Sequence, residues 1–299
     1  MNPFNAEGLW LKSRLFINRA LDPNRGFEEQ AFWACASLEL LGKSALARLS
    51  PLLVATPTDD GKSLLVASGS QDSSDATSIQ AKAVWARAGR VFKPFSEVEA
   101  KKLSVGRNEY IHSATVGFDA IPEHAWWPSF WAQAAVLLEH VDREMLDYVG
   151  AESLASIESH LATQKTTLTR KLEARLEQAR SLLARHEAGT LTVALSAKWS
   201  AFKLPFETYT SAAECPACLG SAILGGSNKN LVNVEDHFDE ETGEGEVWVT
   251  LEIDTNFLAC PRCHLVIDDY ALLNEAQVDT AFDAVGDIYD VDYVDYNNE

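Results

Sequence analysis

Four of the five cysteines in this 299-residue chain stand as two Cys-Pro-x-Cys pairs, Cys215 with Cys218 and Cys260 with Cys263. Each pair is a turn that can offer two thiolates to one face of a metal ion, and two such turns complete a tetrahedral site with four sulfur ligands. Disulfides or scattered core thiols are the alternatives. The spacing predicts one structural zinc ion per chain, and it requires two distant stretches of the chain to meet.

The setting of the cysteines favours metal over disulfides. The sequence shows neither a secretory signal nor an apolar run long enough to span a membrane. We therefore expect a cytoplasmic, reducing environment without a membrane partner, where disulfides are rare and cysteine pairs bind metals instead. The fifth cysteine, Cys35, lies in a strongly apolar segment and is expected to be a small buried hydrophobic residue.

The net charge of −19 is concentrated at the C-terminal end of the chain. Residues 211–299 carry 20 acidic side chains and only two basic ones, whereas residues 1–150 carry 18 acidic and 15 basic ones. Because lysine and arginine bind the phosphate backbone, a segment this acidic is not expected to clamp nucleic acid. We expect it either to meet a protein partner or to shield something basic.

The last residues, 279–299, interleave aspartates with aromatic and aliphatic residues. An acidic run is usually a solvated, disordered end, which is one interpretation here. Charge alone, however, needs no tyrosine or isoleucine. The other interpretation is a docking segment that imitates a nucleic-acid backbone, either covering basic ground on the same chain or engaging a basic partner.

Hydrophobic patterning predicts an α+β protein in three parts. Residues 1–150 are expected to form a helical bundle, residues 151–190 a long helix or stalk, and residues 191–299 a β-rich domain that holds the zinc site, with an acidic tail. The apolar residues of the long helix recur at three- or four-residue steps. That spacing suits packing back on the bundle as well as pairing in a coiled coil.

Short apolar runs around the cysteine pairs predict strands. Residues 192–195 suggest one strand, and the alternation in residues 247–253, with residues 231–234 as a partner, predicts a hairpin between the pairs. This order of metal-binding turn, hairpin and metal-binding turn resembles the zinc ribbon family over residues 212–273, with a hairpin enlarged to fill 41 intervening residues. His237 and His264 are expected to be bystanders, because four cysteines already complete the coordination shell.

A second motif, Arg107-Asn108-Glu109-Tyr110-Ile111-His112, stands within the helical part. In a regular helix, residues five positions apart point about 140° away from each other. We therefore expect Gly106 to break the helix and Asn108 to cap a new one, with Arg107 just before its start and His112 one turn inside. An arginine, an imidazole and a helix N-terminus at one point would form a phosphodiester site.

Such a site suits RNA cleavage without a metal ion. His112 could take a proton from a 2′-hydroxyl or give one to the leaving 5′-oxygen, and Arg107 could hold the non-bridging oxygens. One histidine cannot readily serve as base and acid together, whereas two copies facing each other across a dimer could. Alternatively, Arg107 pairs with Glu109 or another acid, and His112 is an ordinary hydrogen-bonded helix residue.

In these residues the chain resembles the HEPN family (higher eukaryotes and prokaryotes nucleotide-binding domains). The family motif is an arginine, a polar residue that is often asparagine, and a histidine after a short spacer, which Arg107, Asn108 and His112 match. Glu39 and Lys43 also fit the family's common Glu-x-x-x-Lys pattern.

The HEPN resemblance covers residues 1–150. It implies an α-helical domain, a homodimer with a composite ribonuclease site, and service in bacterial or archaeal toxin–antitoxin and antiviral defence systems. Some members of the family are not catalytic. The rival hypothesis is accordingly a non-enzymatic scaffold, in which the bundle dimerises and the acidic module docks a basic partner.

Any RNA site on this slightly acidic domain must be a local basic patch. Lys101 and Lys102, close to Arg107, are expected to bind the substrate, and Arg90 and Lys93 extend the patch.

Overall fold

The computed structural model describes residues 2–72, 76–114, 117–118, 121–238 and 245–286. It has an α+β fold, as predicted, in which a first unit (Met1–Lys165) is helical and a second unit (Thr166–Glu299) contains the β-sheets. Within the described ranges, no helix combines the length and the apolar character that a membrane span requires.

The first unit is the predicted helical bundle, with more and shorter helices than expected. Its elements are α1 (Ala6–Ala20), α2 (Phe27–Leu49), α3 (Lys62–Ala67), α4 (Ala81–Val91), α5 (Glu97–His112), α6 (Glu123–His140), α7 (Met145–Val149) and the first turns of α8 (Ala151–Glu187), with a 3-10 turn at Pro51–Leu53. The expected single helix from Glu123 to Val149 is divided into α6 and α7.

Helix α2 is central in the bundle and packs against α1, α4, α5 and α6. Its Cys35 is buried, as predicted, and donates from Sγ to the carbonyl of Leu103 at 3.3 Å. Burial raises the pKa of the Cys35 thiol to about 12, so this cysteine is protonated at neutral pH. A thiol in that state packs as a small apolar side chain and is not a nucleophile.

A hydrogen-bonded cluster ties α1, α2 and α7 together inside the core. Ser13 Oγ donates to the carbonyl of Ser37 at 2.8 Å, and Ser37 Oγ donates to the carbonyl of Ser13 at 2.7 Å. The hydroxyl of Tyr148 lies 2.5 Å from Ser37 Oγ and 3.1 Å from Ser13 Oγ. Because all three side chains are buried, these bonds offset the cost of removing polar groups from water.

Helix α5 runs without a break from Glu97 to His112, so the predicted interruption at Gly106 is wrong. Ser96 caps the helix by accepting from the Glu99 amide at 3.2 Å. The glycine serves close packing, because a Cβ at Gly106 would lie 2.5 Å from Cδ1 of Phe118 and 2.7 Å from its backbone nitrogen. The chain that follows α5 therefore packs directly on the helix backbone.

The long helix predicted after the bundle is confirmed as α8. Its early residues Ile157 and Leu161 belong to the core of the first unit, whereas Leu172 and Ala179 are buried in the core of the second unit. The apolar residues of α8 are thus buried within the chain, the early ones in the core of the bundle and the later ones in the core of the C-terminal unit.

In its described residues, the second unit contains two antiparallel sheets and, after α8, two short helices. The strands are β1 (Tyr209–Glu214), β2 (Ser221–Gly226), β3 (Lys229–Phe238), β4 (Gly245–Asp254), β5 (Phe257–Ala259), β6 (Val266–Ile267) and β7 (Ala281–Val285), and the helices are α9 (Val193–Ser200) and α10 (Tyr270–Glu275). One sheet has the order β1-β2-β5-β6 and the other β3-β4-β7. The predicted hairpin is confirmed as β3 and β4, with Val234 opposite Val249.

Two further predictions for this unit concern a strand at residues 192–195 and the acidic tail. The strand predicted at residues 192–195 is wrong: Thr192 caps α9 by accepting from the Leu195 amide at 3.4 Å. Part of the acidic tail forms β7, which pairs with β4. Residues 287–299, which carry most of the predicted docking segment, lie outside the described residues.

Candidate active site and metal centre

Side chains from α2, α4 and α5, with Gln80 just before α4, line a cleft of about 690 Å³ in the first unit. Its lining is Glu39, Gln80, Ala81, Lys82, Trp85, Lys101, Ser104, Val105, Arg107, Asn108 and His112. The three residues of the predicted catalytic motif therefore meet at one cleft, together with the predicted substrate-binding residue Lys101.

The three residues of the motif line one cleft although α5 has no break. Lys101, Asn108 and His112 are seven and four positions apart, so they share one face of the helix. Arg107 points about 140° away from His112, toward α2. Its Nη2 nevertheless lies 3.4 Å from Oδ1 of Asn108. The predicted capping role of Asn108 is wrong, since this residue lies well inside α5.

Arg107 is fixed by an ion-paired chain that reaches into α2. Its Nη1 donates to Glu39 Oε2 at 2.5 Å, while Lys43 Nζ donates to Glu39 Oε1 at 2.8 Å and to Ser78 Oγ at 3.0 Å. These side chains are largely buried, so solvent screens the interaction only in part. Arg107 thus pairs with an acid, as one alternative held, but that acid is Glu39 and not Glu109.

The ion pair leaves Arg107 with donors to spare. A guanidinium carries five N–H groups, and Glu39 accepts from one of its nitrogens. The buried Nε of Arg107 has no hydrogen-bond partner among the described residues. The guanidinium is therefore held in place, and not all of its N–H groups have an acceptor among the described residues.

Two cleft residues are exposed and unengaged. The side chains of His112 and Lys82 make no hydrogen bond or ion pair with any part of the chain that the structure describes. The imidazole of His112 is thus accessible for proton transfer, and the alternative of a hydrogen-bonded structural histidine has no partner group to support it. Lys82 was not predicted, because it comes from a different helix and no sequence pattern links it to the motif.

The other predicted basic residues are placed differently. Lys101 lines the cleft and forms an ion pair with Glu97. Lys102 points elsewhere, pairing with Glu99 at 2.6 Å, and is not part of the cleft lining. Arg90 and Lys93 are not part of that lining either. The basic patch is therefore narrower than expected from the sequence.

The four predicted metal ligands converge in the second unit. The sulfur atoms of Cys215, Cys218, Cys260 and Cys263 all lie within 4.8 Å of one another, with separations of 3.5 Å between Cys215 and Cys263 and 3.6 Å between Cys218 and Cys260. A tetrahedral site with metal–sulfur bonds of about 2.3 Å has sulfur–sulfur edges of about 3.8 Å. The four thiols therefore form a site that could hold one metal ion.

The two cysteine turns have the same backbone conformation. In each turn the amide of the first cysteine donates at 2.9 Å to a carbonyl five residues later, Gly220 in one case and Leu265 in the other. The residue after the second cysteine has positive φ in both, 54° at Leu219 and 60° at His264. The turns connect β1 to β2 and β5 to β6, so the paired strands hold them against each other.

The surroundings of the sulfurs combine burial with amide donors. Burial raises the pKa of the Cys215 and Cys263 thiols. For Cys260, burial also acts to raise the pKa, but donors that include the amides of Cys263 and Arg262 outweigh it, and the pKa is lowered. Amide donors aimed at sulfur favour the thiolate form that binds a metal.

His264, which follows the last cysteine, is outside the four-sulfur group. The ring of His264 is stacked between Trp199 and Phe202, with centroids 3.8 Å and 4.1 Å away. Burial lowers its pKa, and the neighbouring His186 adds to that effect. The side chain of His237 lies outside the described part of the chain.

No known protein family, curated protein or solved structure matches this chain.

Proposed function

We propose that the protein is a metal-independent endoribonuclease of the HEPN type with a C-terminal zinc ribbon. The observation that carries this proposal is the meeting of Arg107, Asn108 and His112 at one cleft, where the arginine is fixed and the histidine is exposed, with no side-chain partner in the described ranges. Lys82 and Lys101 make the same cleft basic, which suits a phosphodiester substrate.

The reaction is an internal transesterification. His112 takes the proton of a 2′-hydroxyl, whose oxygen then attacks the adjacent phosphorus. The bond from phosphorus to the 5′-oxygen breaks, and a protonated histidine from a second copy of the chain gives its proton to that oxygen. The products are a 2′,3′-cyclic phosphate and a 5′-hydroxyl. Water and metal are not consumed, and the two histidines end with their protonation states exchanged.

Arg107 stabilises the negative charge that develops on the non-bridging oxygens. Its ion pair with Glu39 fixes the guanidinium before the substrate arrives, so little reorganisation is needed during the reaction. The Nη2 group, which lies 3.4 Å from Oδ1 of Asn108 and carries a second N–H, supplies the donor. Asn108, beside the guanidinium, contributes an amide to positioning.

The composite site requires a homodimer, for which we propose the exposed face of α5 as the contact. The apolar residues of α2 and α6 are mostly buried inside the bundle and are not available for a dimer contact. On α5, Val98 and Val105 are 60% and 47% exposed, on the same face as His112. Contact through this face would bring the two histidines together.

The dimer surface can be tested with one substitution and one control. Val98→Glu, on the exposed face of α5 but outside the cleft lining, should give a monomer by analytical ultracentrifugation and abolish cleavage. Val193→Glu, at an exposed position of α9, should leave both the dimer and the activity intact. A monomeric wild-type protein whose cleavage rate is linear in protein concentration would contradict the composite site.

The metal in the proposed ribbon is zinc in a structural role. Four sulfur ligands complete a tetrahedral shell, so no position is left for a substrate or a reactive water. The setting that we propose is a bacterial toxin or antiphage defence system in the cytoplasm. Expression in bacteria should then arrest growth, and His112→Ala should relieve the arrest.

A non-catalytic scaffold is the competing function. It is favoured by the commitment of Arg107 to Glu39 and by the balance of 20 acidic against two basic residues in the segment 211–299, which suits docking to a basic protein. Truncation after Gly286 tests the acidic tail without removing β7. Higher cleavage after truncation supports a brake on the cleft, whereas loss of a captured basic partner supports docking.

A further inference from the structure

We infer that Lys82 of α4 is the residue that attracts and anchors the phosphate of the substrate in the cleft, a role distinct from that of Arg107. The inference rests on the proposed phosphodiester function. It assigns a binding residue that lies 25 positions before the Arg–His motif, on a different helix.

Among the described residues, the ion pairs of the cleft leave Lys82 as its cation without an acidic partner. Glu39 faces Arg107 and Glu97 faces Lys101, so two of the three basic side chains in the lining have an acidic partner. Lys82 has no such partner among the described residues. An incoming phosphate therefore meets its strongest unbalanced attraction at Lys82.

Arg107 and Lys82 also differ in flexibility, and this difference separates their roles. Arg107 is about four-fifths buried and fixed to α2. A fixed, desolvated arginine is suited to the charge that develops in the transition state, and such interactions raise kcat. Lys82 is exposed, on a flexible stem, and can contact the phosphate already in the ground state. Contacts of that kind act mainly on KM and on binding.

The position of Lys82 implies that the substrate strand runs across the cleft from α4 to α5. Lys82 lies in the first turn of α4, whereas Asn108 and His112 lie near the end of α5. A strand held by Lys82 at one phosphate would place the next phosphodiester beside the α5 residues. We therefore expect single-stranded RNA, whose backbone can bend between the two helices.

The test measures binding apart from cleavage. A fluorescein-labelled oligouridylate is titrated with full-length protein carrying His112→Ala, and anisotropy is followed over a series of salt concentrations. Adding Lys82→Ala should weaken binding about tenfold and reduce the slope of log K against log salt by about 0.7. Lys82→Arg should restore binding, because it keeps the charge.

Lys12→Ala is the matched control, an exposed lysine of α1 outside the cleft, and should change binding by less than about twofold. Equal weakening by Lys82→Ala and Lys12→Ala would overturn the inference, as would absence of oligouridylate binding by the His112→Ala protein.

The kinetics separate this inference from the proposed function. In the cleaving protein, Lys82→Ala should raise KM about tenfold with little change in kcat, and Arg107→Ala should mainly lower kcat. Cleavage that depends on His112 with an unchanged KM in Lys82→Ala would refute only the role of Lys82. Lys82-dependent binding without any cleavage would refute the ribonuclease and leave the phosphate site.

Discussion

Nη1 of Arg107 donates to Oε2 of Glu39 across 2.5 Å, joining two helices through residues that are 68 positions apart in sequence. Lys43 binds the other oxygen of the same carboxylate at 2.8 Å. The carboxylate therefore stabilises two buried cations and also orients the arginine of the cleft. Glu39 therefore has both a structural role in the bundle and a role in the proposed catalysis.

Replacing Glu39 with glutamine should lower both stability and activity. Lys43 is 9% exposed in its side chain, so removing the negative charge leaves it with only hydroxyl and amide acceptors. We expect the free energy of unfolding to fall by about 2 kcal/mol in urea titrations. Because Arg107 also loses its orientation, kcat should fall more than KM rises.

Glu99→Gln is the control for this substitution. It removes an exposed ion pair with Lys102 and should change the free energy of unfolding by no more than about 0.5 kcal/mol. If Glu39→Gln and Glu99→Gln lower the free energy of unfolding equally, the ion pairs of Glu39 with Arg107 and Lys43 stabilise the bundle no more than an exposed ion pair does.

Gly106→Ala should disturb the bundle although alanine favours helices. The added Cβ would lie 2.5 Å from the Phe118 ring, and the backbone nitrogen of Phe118 is almost as close. We expect a loss of about 1–3 kcal/mol in thermal or urea unfolding. Gly8→Ala, inside α1, where the nearest atom lies 3.5 Å from the added Cβ, is the control and should be neutral or stabilising. Stabilisation by Gly106→Ala would refute the close packing.

The thiol cluster predicts a metal content. Freshly purified, reduced protein should contain about one zinc ion per chain by atomic emission spectroscopy. Cys260→Ser should lose the zinc and unfold the second unit, while the helical signal of the bundle remains. Cys35→Ala, which removes a buried thiol outside the cluster, should retain the zinc. Wild-type protein without zinc would contradict the site.

Tyr148 predicts a pH dependence of stability. Burial raises the pKa of Tyr148 to about 12, above the ordinary value near 10. The unfolded chain therefore loses this proton first, and the stability contributed by the neutral phenol is present below about pH 10 and lost between about pH 10 and 12. Wild-type protein should thus lose stability across this range faster than Tyr148→Phe.

At neutral pH the same substitution should cost about 1 kcal/mol, because it leaves Ser13 and Ser37 with one partner fewer. Urea titrations of both proteins at neutral and alkaline pH measure both effects. Parallel alkaline losses in the two proteins would show that Tyr148 does not titrate as its burial implies.

Local patterns were sufficient to predict the elements whose signal is periodic. The apolar spacing of α8, the alternation of β4 and the two cysteine turns each follow from residues that are neighbours in sequence. The convergence of the four cysteines was also predictable, because a tetrahedral metal requires four ligands. The helix at Val193–Ser200 was missed because a short apolar run suits a strand as well as a helix.

The interior of the cleft depends on tertiary contacts that sequence spacing does not show. Gly106 looked like a helix breaker, whereas its role is to admit Phe118 against an unbroken helix. Lys82 joins the cleft only because α4 packs beside α5. The polar residues Lys101, Ser104, Asn108 and His112 do recur at three- and four-residue steps. This spacing was sufficient to predict that they share one side of a helix, which is the side that lines the cleft.

The central claim is that His112 transfers a proton in RNA cleavage without a metal ion. The most direct measurement is cleavage of a labelled RNA by full-length protein with EDTA added at the start, with the products identified by mass spectrometry. We predict 2′,3′-cyclic phosphate ends, a loss of at least about 100-fold in His112→Ala, and full activity in His124→Ala, an exposed histidine outside the cleft. Equal cleavage by His112→Ala and wild type, or activity that appears only with a divalent ion, would contradict the account.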